Sequence, residues 1–411
     1  MSELIRQARS RGLALNQRLA GTVLNGFDWL FRSDRLVKSG KTWFELVYDG
    51  DPMSVRYYGL PEEDTIELAN GSRMAVERRQ HPVPLVLVPP LGVTANTFDL
   101  MPQRSLARYM AARGFRTYLI DWGKPEKRHA HLGMKEYADD MMSLALARIR
   151  KHAGTEPLSL MGWCMGGLLC LIHAGLREDP RIVNIVTVAS PIDMRGGGIV
   201  AGLASAINTP AQLIRKYTEF RLHALDPARM QMPAWFTTLA FKLTDPVGSV
   251  TTYWDLLTRL WDREFVTSHT TTSNYLNNML MYPAGVLQDM VIKVGMDNSL
   301  SRGQLEIGGQ VSRFDRIHAA MLVIAGASDV LVPPPIARNS VDLVASADKR
   351  FTIAAGGHMG VILGSKALGE VWSPAADWLG ERSAVSVPQA GTPPRKKAKP
   401  GARTGKKKVA R

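Results

Sequence analysis

The sequence predicts an α/β fold, a mostly parallel central sheet covered by helices on both faces, with a mainly helical cap inserted before the strand that carries an acid. Three observations carry this reading. Short apolar runs alternate with helical stretches between Pro84 and Ala189. The alternation stops after Met194 and resumes at Ala319. Cys164, Asp329 and His358 each stand just past a predicted strand. Runs of this length separated by helices indicate strands buried on both faces.

In chain order, residues 1–40 read as an N-terminal helical segment, basic and moderately amphipathic. Leu4, Ala8, Leu13, Leu15 and Leu19 are placed to face a core or a partner. Packing on the main body is the simpler expectation, and docking on a membrane surface or partner is the alternative. Residues 41–194 form the first part of the core. Two aromatic, β-branched runs, Thr42–Tyr48 and Ser54–Tyr58, flank the turn Asp49-Gly50-Asp51-Pro52. The run Pro84–Val88 then leads to a helix near Ser105–Arg113. Arg116–Ile120 leads to one over Lys135–His152, and Pro157–Met161 to Gly167–Arg177. Ile182–Ala189 is the fourth run.

Residues 195–316 are rich in Thr, Met, Asn and aromatics, with Pro210, Pro227, Pro233 and Pro246 as breaks. They read as a cap or lid on the side carrying the loops. Trp235, Phe236, Trp254 and Trp261 are expected in its core, with one or two left to line a channel. Residues 317–382 complete the core with strands Ala319–Ala325 and Lys349–Ala354 and a helix over Lys366–Leu379. Residues 383–411 are too poor in apolar side chains to fold alone and read as a disordered basic tail.

The net charge of +14 is mainly a tail property, since nine Lys or Arg and no acid fall between Arg395 and Arg411, leaving about +5 for the rest. Such a tail could hold DNA or another polyanion by counterion release, or simply keep the chain soluble. The two cysteines, Cys164 and Cys170, are too few and too close for a disulfide framework, so a reduced setting is expected. The N-terminus lacks the apolar core of a signal peptide, and no run approaches the roughly 18 apolar residues of a membrane span. A cytoplasmic protein is the expectation.

Gly162-Trp163-Cys164-Met165-Gly166 follows an apolar run and opens a helix, the context of a nucleophile elbow. The glycines let the backbone pass close to its neighbours, and the helix start turns free amides and its positive dipole end toward the thiol. Met165 is expected to give one oxyanion-hole amide, and Leu91, Gly92 or Val93, after Pro89-Pro90, the second. Asp329 in Gly326-Ala-Ser-Asp and His358 in Gly356-Gly-His-Met-Gly complete a nucleophile, acid, histidine order that is that of the α/β-hydrolase fold. Asp193, in Ser190-Pro-Ile-Asp, is the alternative acid. The remaining histidines show no metal-site spacing.

The chain resembles the polyhydroxyalkanoate synthases, most closely the class III catalytic subunit. The matching stretches are Asp99-Leu-Met-Pro-Gln-Arg-Ser-Leu-Ala-Arg, Thr117-Tyr-Leu-Ile-Asp-Trp-Gly, Gly162-Trp-Cys-Met-Gly-Gly, Pro191-Ile-Asp, Gly303-Gln-Leu-Glu-Ile-Gly-Gly, Leu331-Val-Pro-Pro and Gly356-Gly-His-Met-Gly. They cover about residues 83–194 and 303–380. Val330 stands where synthases carry His, and Trp163 and Met165 where the class III elbow has Ile and Gln.

The resemblance implies that Cys164 takes the acyl group of a 3-hydroxyacyl-CoA and releases CoA. The hydroxyl of the next unit then attacks, so that polyester grows. His358 would activate Cys164, and Asp329 would orient His358 or help activate the hydroxyl. It also implies acyl-CoA as substrate with no cofactor, a homodimer, a non-catalytic second subunit, and a place at polyester granules. A thioesterase or polyester depolymerase on the same fold, and a polyanion- or granule-binding protein acting through its tail, are the competing functions.

Overall fold

The structure, a computed structural model, describes residues 2–193, 233–243 and 246–383. The expected tail from residue 384, residue 194 and the first part of the expected cap, 195–232, lie outside the described residues. So do the side chains of Leu4, Ala8, Leu13 and Leu15.

Eight strands form one sheet: β1 (Glu45–Asp49), β2 (Ser54–Tyr58), β3 (Leu85–Val88), β4 (Thr117–Asp121), β5 (Leu158–Trp163), β6 (Ile182–Val188), β7 (Ala320–Gly326) and β8 (Lys349–Ala354). Their spatial order is β1-β2-β4-β3-β5-β6-β7-β8. The β1–β2 and β2–β4 pairs are antiparallel, and every other pair is parallel.

Side-chain alternation explains the two-sided burial. Val86, Val88, Ile120, Leu160, Ile185 and Val323 point into one core layer. Leu85, Leu87, Leu119, Met161, Val186 and Leu322, their immediate neighbours, point into the other. All four residues of β3 have no exposed surface, so an uninterrupted apolar run is what this position demands.

Helix α1 (Ser2–Phe31) comes first in the chain. Helix α2 (Leu106–Ala112), whose start is capped by the Ser105 hydroxyl accepting from the Arg108 amide at 3.1 Å, packs on the second layer. Helices α3 (Met142–Ala153) and α4 (Met165–Arg177) pack on the first. Every residue of α4 from Met165 to Gly175 is buried, which fixes the elbow at its start against the sheet.

After β6 the described chain continues as α5 (Ala234–Leu243), α6 (Pro246–Thr258), α7 (Arg263–Asn277) and α8 (Ala284–Asp289). A two-stranded hairpin, Gln304–Ile307 with Gln310–Arg313, follows. It lies inside the stretch read as helical and docks on α4, where the Ser312 hydroxyl donates to the Ile172 carbonyl at 2.8 Å. Beyond β7, α9 (Pro334–Leu343), α10 (Gly360–Leu363) and α11 (Ser373–Ser383) complete the described fold.

The N-terminal helix packs on the cap helices rather than on the sheet. Asn25 donates to the Leu260 carbonyl at 2.8 Å, Arg263 pairs with Asp28 at 2.7 Å, and Arg18 lies over the Trp261 ring. Leu19, placed to face a core or a partner, is exposed, because the α1 face that meets the cap is the one carrying Arg18, Gly21, Asn25 and Asp28. The expectation for the cap aromatics fails. Trp235 and Trp254 are 66% and 69% exposed, and Phe236 and Trp261 are exposed as well. On the helices that carry Trp235, Phe236 and Trp254, the buried residues among those described are Thr237 and Leu256. Among the described residues no helix is long and apolar enough to cross a membrane.

Candidate active site

Parallel register brings the candidate residues to one edge of the sheet. Val88 sits opposite Gly162, Trp163 opposite Val188, Val188 opposite Ile324, and Gly326 opposite Ala354. The chain past these residues carries Gly92, Cys164, Asp329 and His358, so loops distant in sequence converge.

Cys164 adopts φ 52 and ψ −122, backbone that costs an L residue about 1–3 kcal/mol and is held here by its surroundings. Its amide donates to the Val188 carbonyl at 2.8 Å, and its carbonyl accepts from Gly167 at 3.1 Å. The turn closes only on glycine: a Cβ at Gly166 would stand 2.0 Å from the Val88 carbonyl oxygen, and one at Gly162 would stand 2.4 Å from the Gly167 nitrogen. The thiol is partly exposed at the start of α4.

The expected oxyanion donors are placed compatibly. Among the described residues, the amides of Met165, Gly92 and Val93 donate to no backbone or side-chain acceptor. Met165 is the first residue of α4, whose leading amides have no intrahelical partner. Gly92 holds φ +79, and its carbonyl accepts from Leu280 at 2.8 Å, which ties the loop to the cap.

Asp329 and His358 meet in a dry pocket. Their side chains have no exposed surface, and His358 Nδ1 lies 2.8 Å from Asp329 Oδ2. The other carboxylate oxygen accepts from the Leu331 and Val332 amides, each at 2.9 Å, which fixes the group in its turn. His358 Nε2 is buried with no hydrogen-bond partner among the described residues. The Trp163 ring packs 5.4 Å from the imidazole.

Burial alone would lower the His358 pKa. The charge of Cys164 and the bond to Asp329 outweigh it and push the pKa up to about 10. The imidazole is therefore held ready to carry a proton beside the sulfur.

Asp193, the alternative acid, points elsewhere. It accepts from Asn298 at 3.0 Å and from Asn339 at 3.2 Å.

Two residues that no motif announced also reach the site. Tyr275 on α7 is buried and donates to the Thr97 hydroxyl at 2.8 Å. Tyr282, just before α8, lies against Gly92, where an added Cβ would stand 2.9 Å from its ring. Burial, then the charge of Cys164, raises the pKa of Tyr282, and the same two causes outweigh the Thr97 bond in raising that of Tyr275. Neither belongs to a recognisable spacing. The signal was only that of aromatic residues in the inserted stretch.

A protein-family model described as the alpha/beta hydrolase fold matches residues 84–365. The poly(3-hydroxyalkanoate) polymerase subunit PhaC of Haloferax mediterranei is 27% identical over 349 residues, 84% of this chain and 65% of that protein. The subunit of the same name from Haloarcula marismortui is 24% identical over 352 residues, 85% and 70% respectively. That of Allochromatium vinosum is 25% identical over 325 residues, 78% and 87%. The chain thus spans about two thirds of the length of the two archaeal relatives.

Proposed function

The chain belongs to the alpha/beta hydrolase fold family, and on that premise we propose that it is an acyltransferase that makes polyhydroxyalkanoate from 3-hydroxyacyl-CoA. The observation that carries this is a cysteine, rather than a serine, at the strained elbow beside the buried His358–Asp329 pair. The similarity to poly(3-hydroxyalkanoate) polymerase subunits supports the polymer class.

Cys164, Asp329 and His358 are the proposed catalytic residues. The Cys164 sulfur attacks the thioester carbonyl of the acyl-CoA. The C–S bond to CoA breaks, and the CoA sulfur leaves with the proton held on His358. One thioester replaces another, so little free energy is at stake in the exchange. His358 then takes the proton of the 3-hydroxyl of the next unit as that oxygen attacks the enzyme thioester. An ester bond forms and Cys164 is released. Asp329 keeps Nδ1 protonated and leaves Nε2 toward the reacting sulfur. The amides of Met165 and of Gly92 or Val93 would hold the negative oxygen at each step.

The direct test is CoA release from 3-hydroxybutyryl-CoA by the purified protein, with product analysis, beside Cys164→Ala. Release with polyester, lost in the variant, supports the reading. Release of free 3-hydroxybutyrate alone makes the protein a thioesterase. No release, either alone or with a synthase partner subunit and longer acyl chains, overturns it.

A further inference from the structure

We propose that the Tyr282 hydroxyl is the group that recognises the 3-hydroxyl of the acyl chain carried on Cys164, and so distinguishes 3-hydroxyacyl from plain acyl thioesters. The inference deepens the reading above and rests on it.

Tyr282 is held against the loop that carries Gly92. Its ring lies against Gly92, and the neighbouring Leu280 amide bonds the Gly92 carbonyl, so the backbone around the tyrosine is tied to the loop facing the elbow. Tyr282 and Cys164 pack, each partly buried, against the same apolar cluster, which includes Val88, Leu91 and Met165. The two tyrosines, Tyr275 and Tyr282, differ in one respect. The Tyr275 hydroxyl is committed to Thr97, whereas that of Tyr282 bonds no described residue. The effect of the Cys164 charge on Tyr282 agrees with that placement.

A 3-hydroxyacyl thioester has two polar points beyond its sulfur, the carbonyl oxygen and the 3-hydroxyl. The carbonyl is served by free backbone amides. The 3-hydroxyl, two carbons further on, would otherwise meet the apolar wall of Val88, Leu91 and Met165, on which Cys164 and Tyr282 both pack. A hydroxyl buried without a partner is penalised, so an uncommitted phenol at this wall favours the substrate that brings a hydroxyl. Tyr282 would donate to the 3-hydroxyl in the acyl-enzyme and leave its own oxygen able to accept.

The test is single-turnover acylation of the full-length protein with 3-hydroxybutyryl-CoA and with butyryl-CoA, followed as CoA release and as mass added at Cys164. For Tyr282→Phe, the rate with 3-hydroxybutyryl-CoA should fall about five- to tenfold, the size of one hydrogen bond, while that with butyryl-CoA stays level. The retained butyryl rate shows that the variant is folded. Tyr275→Phe should leave the ratio of the two rates unchanged. An equal loss on both substrates, or no loss on either, overturns the role of Tyr282 and leaves acyl transfer by Cys164 standing. Failure of the wild-type protein to take up either acyl group at Cys164 overturns both.

Discussion

His358 donates from Nδ1 to Oδ2 of Asp329 across 2.8 Å, with neither side chain reaching solvent. The bond is short because the loops after β7 and β8 are themselves tied. The Ala327 amide bonds the Ala354 carbonyl at 2.8 Å, and the Ser328 amide bonds the Gly356 carbonyl at 3.1 Å. Neighbouring parallel strands therefore set the acid–imidazole geometry, and the side chains need little adjustment of their own.

Asp329→Asn separates this geometry from the charge. An asparagine keeps an oxygen for the Leu331 and Val332 amides, but its NH₂ cannot accept from His358. Acyl transfer should fall roughly 10²- to 10⁴-fold. Stability should drop by only about 1–3 kcal/mol. Asp193→Asn should cost much less activity, because Asp193 is engaged with Asn298 and Asn339. CoA-release rates and urea melts of the two variants decide it. Equal losses in both would remove Asp329 from its assigned role.

The elevated pKa of His358 gives a second expectation. It stands near 10 against an ordinary 6.5, with burial opposing and Cys164 and Asp329 raising it. Its protonation therefore stabilises the fold fully below about pH 6.5. That contribution fades as pH rises toward about 10. Cys164→Ala removes one raising cause and leaves burial in place, so the pKa must fall. Histidine ¹⁵N chemical shifts, followed through pH in both proteins, report it. An unchanged value in the variant would show that the sulfur is not the partner.

Gly166→Ala tests the packing of the elbow. The added methyl would stand 2.0 Å from the Val88 carbonyl oxygen, with Pro89 behind it. Neither backbone atom is free to move, so the loss should be about 3 kcal/mol or more. Denaturant unfolding monitored by circular dichroism measures it. A variant as stable as the parent would mean that the elbow is looser than described.

How much of this was legible in the sequence follows from what each residue must satisfy. Leu85–Val88 announced itself because a strand buried on both faces has no polar alternation. The position of Asp329 and His358 after adjacent strands was readable for the same reason. The hairpins Thr65–Glu67 with Arg73–Ala75 and Asp99–Met101 with Arg104–Ser105 were not, since strands of two or three residues carry no period. Helix α9 was missed because Pro333-Pro334-Pro335 reads as a breaker, although proline is tolerated in a first helical turn. Tyr282 was invisible, because its role depends on how the inserted segment folds back over Gly92. No local pattern encodes that return.

The two cysteines should behave oppositely toward an alkylating reagent. Cys170 is fully buried within α4, and desolvation pushes its thiol far above the ordinary range. The thiolate is the reactive form, so Cys170 should resist iodoacetamide in the native state. Cys164 is partly exposed, with His358 beside it to accept the proton. Brief treatment near pH 7.5 should therefore add one carbamidomethyl group, at Cys164, and abolish acyl transfer in step with the labelling. Cys164→Ala should take up none until denatured, when Cys170 becomes reactive. Intact mass followed by peptide mapping reads each outcome. Rapid labelling of Cys170 in the native protein would mean that α4 opens far more readily than its packing allows, and the assignment of Cys164 by reactivity would fail with it.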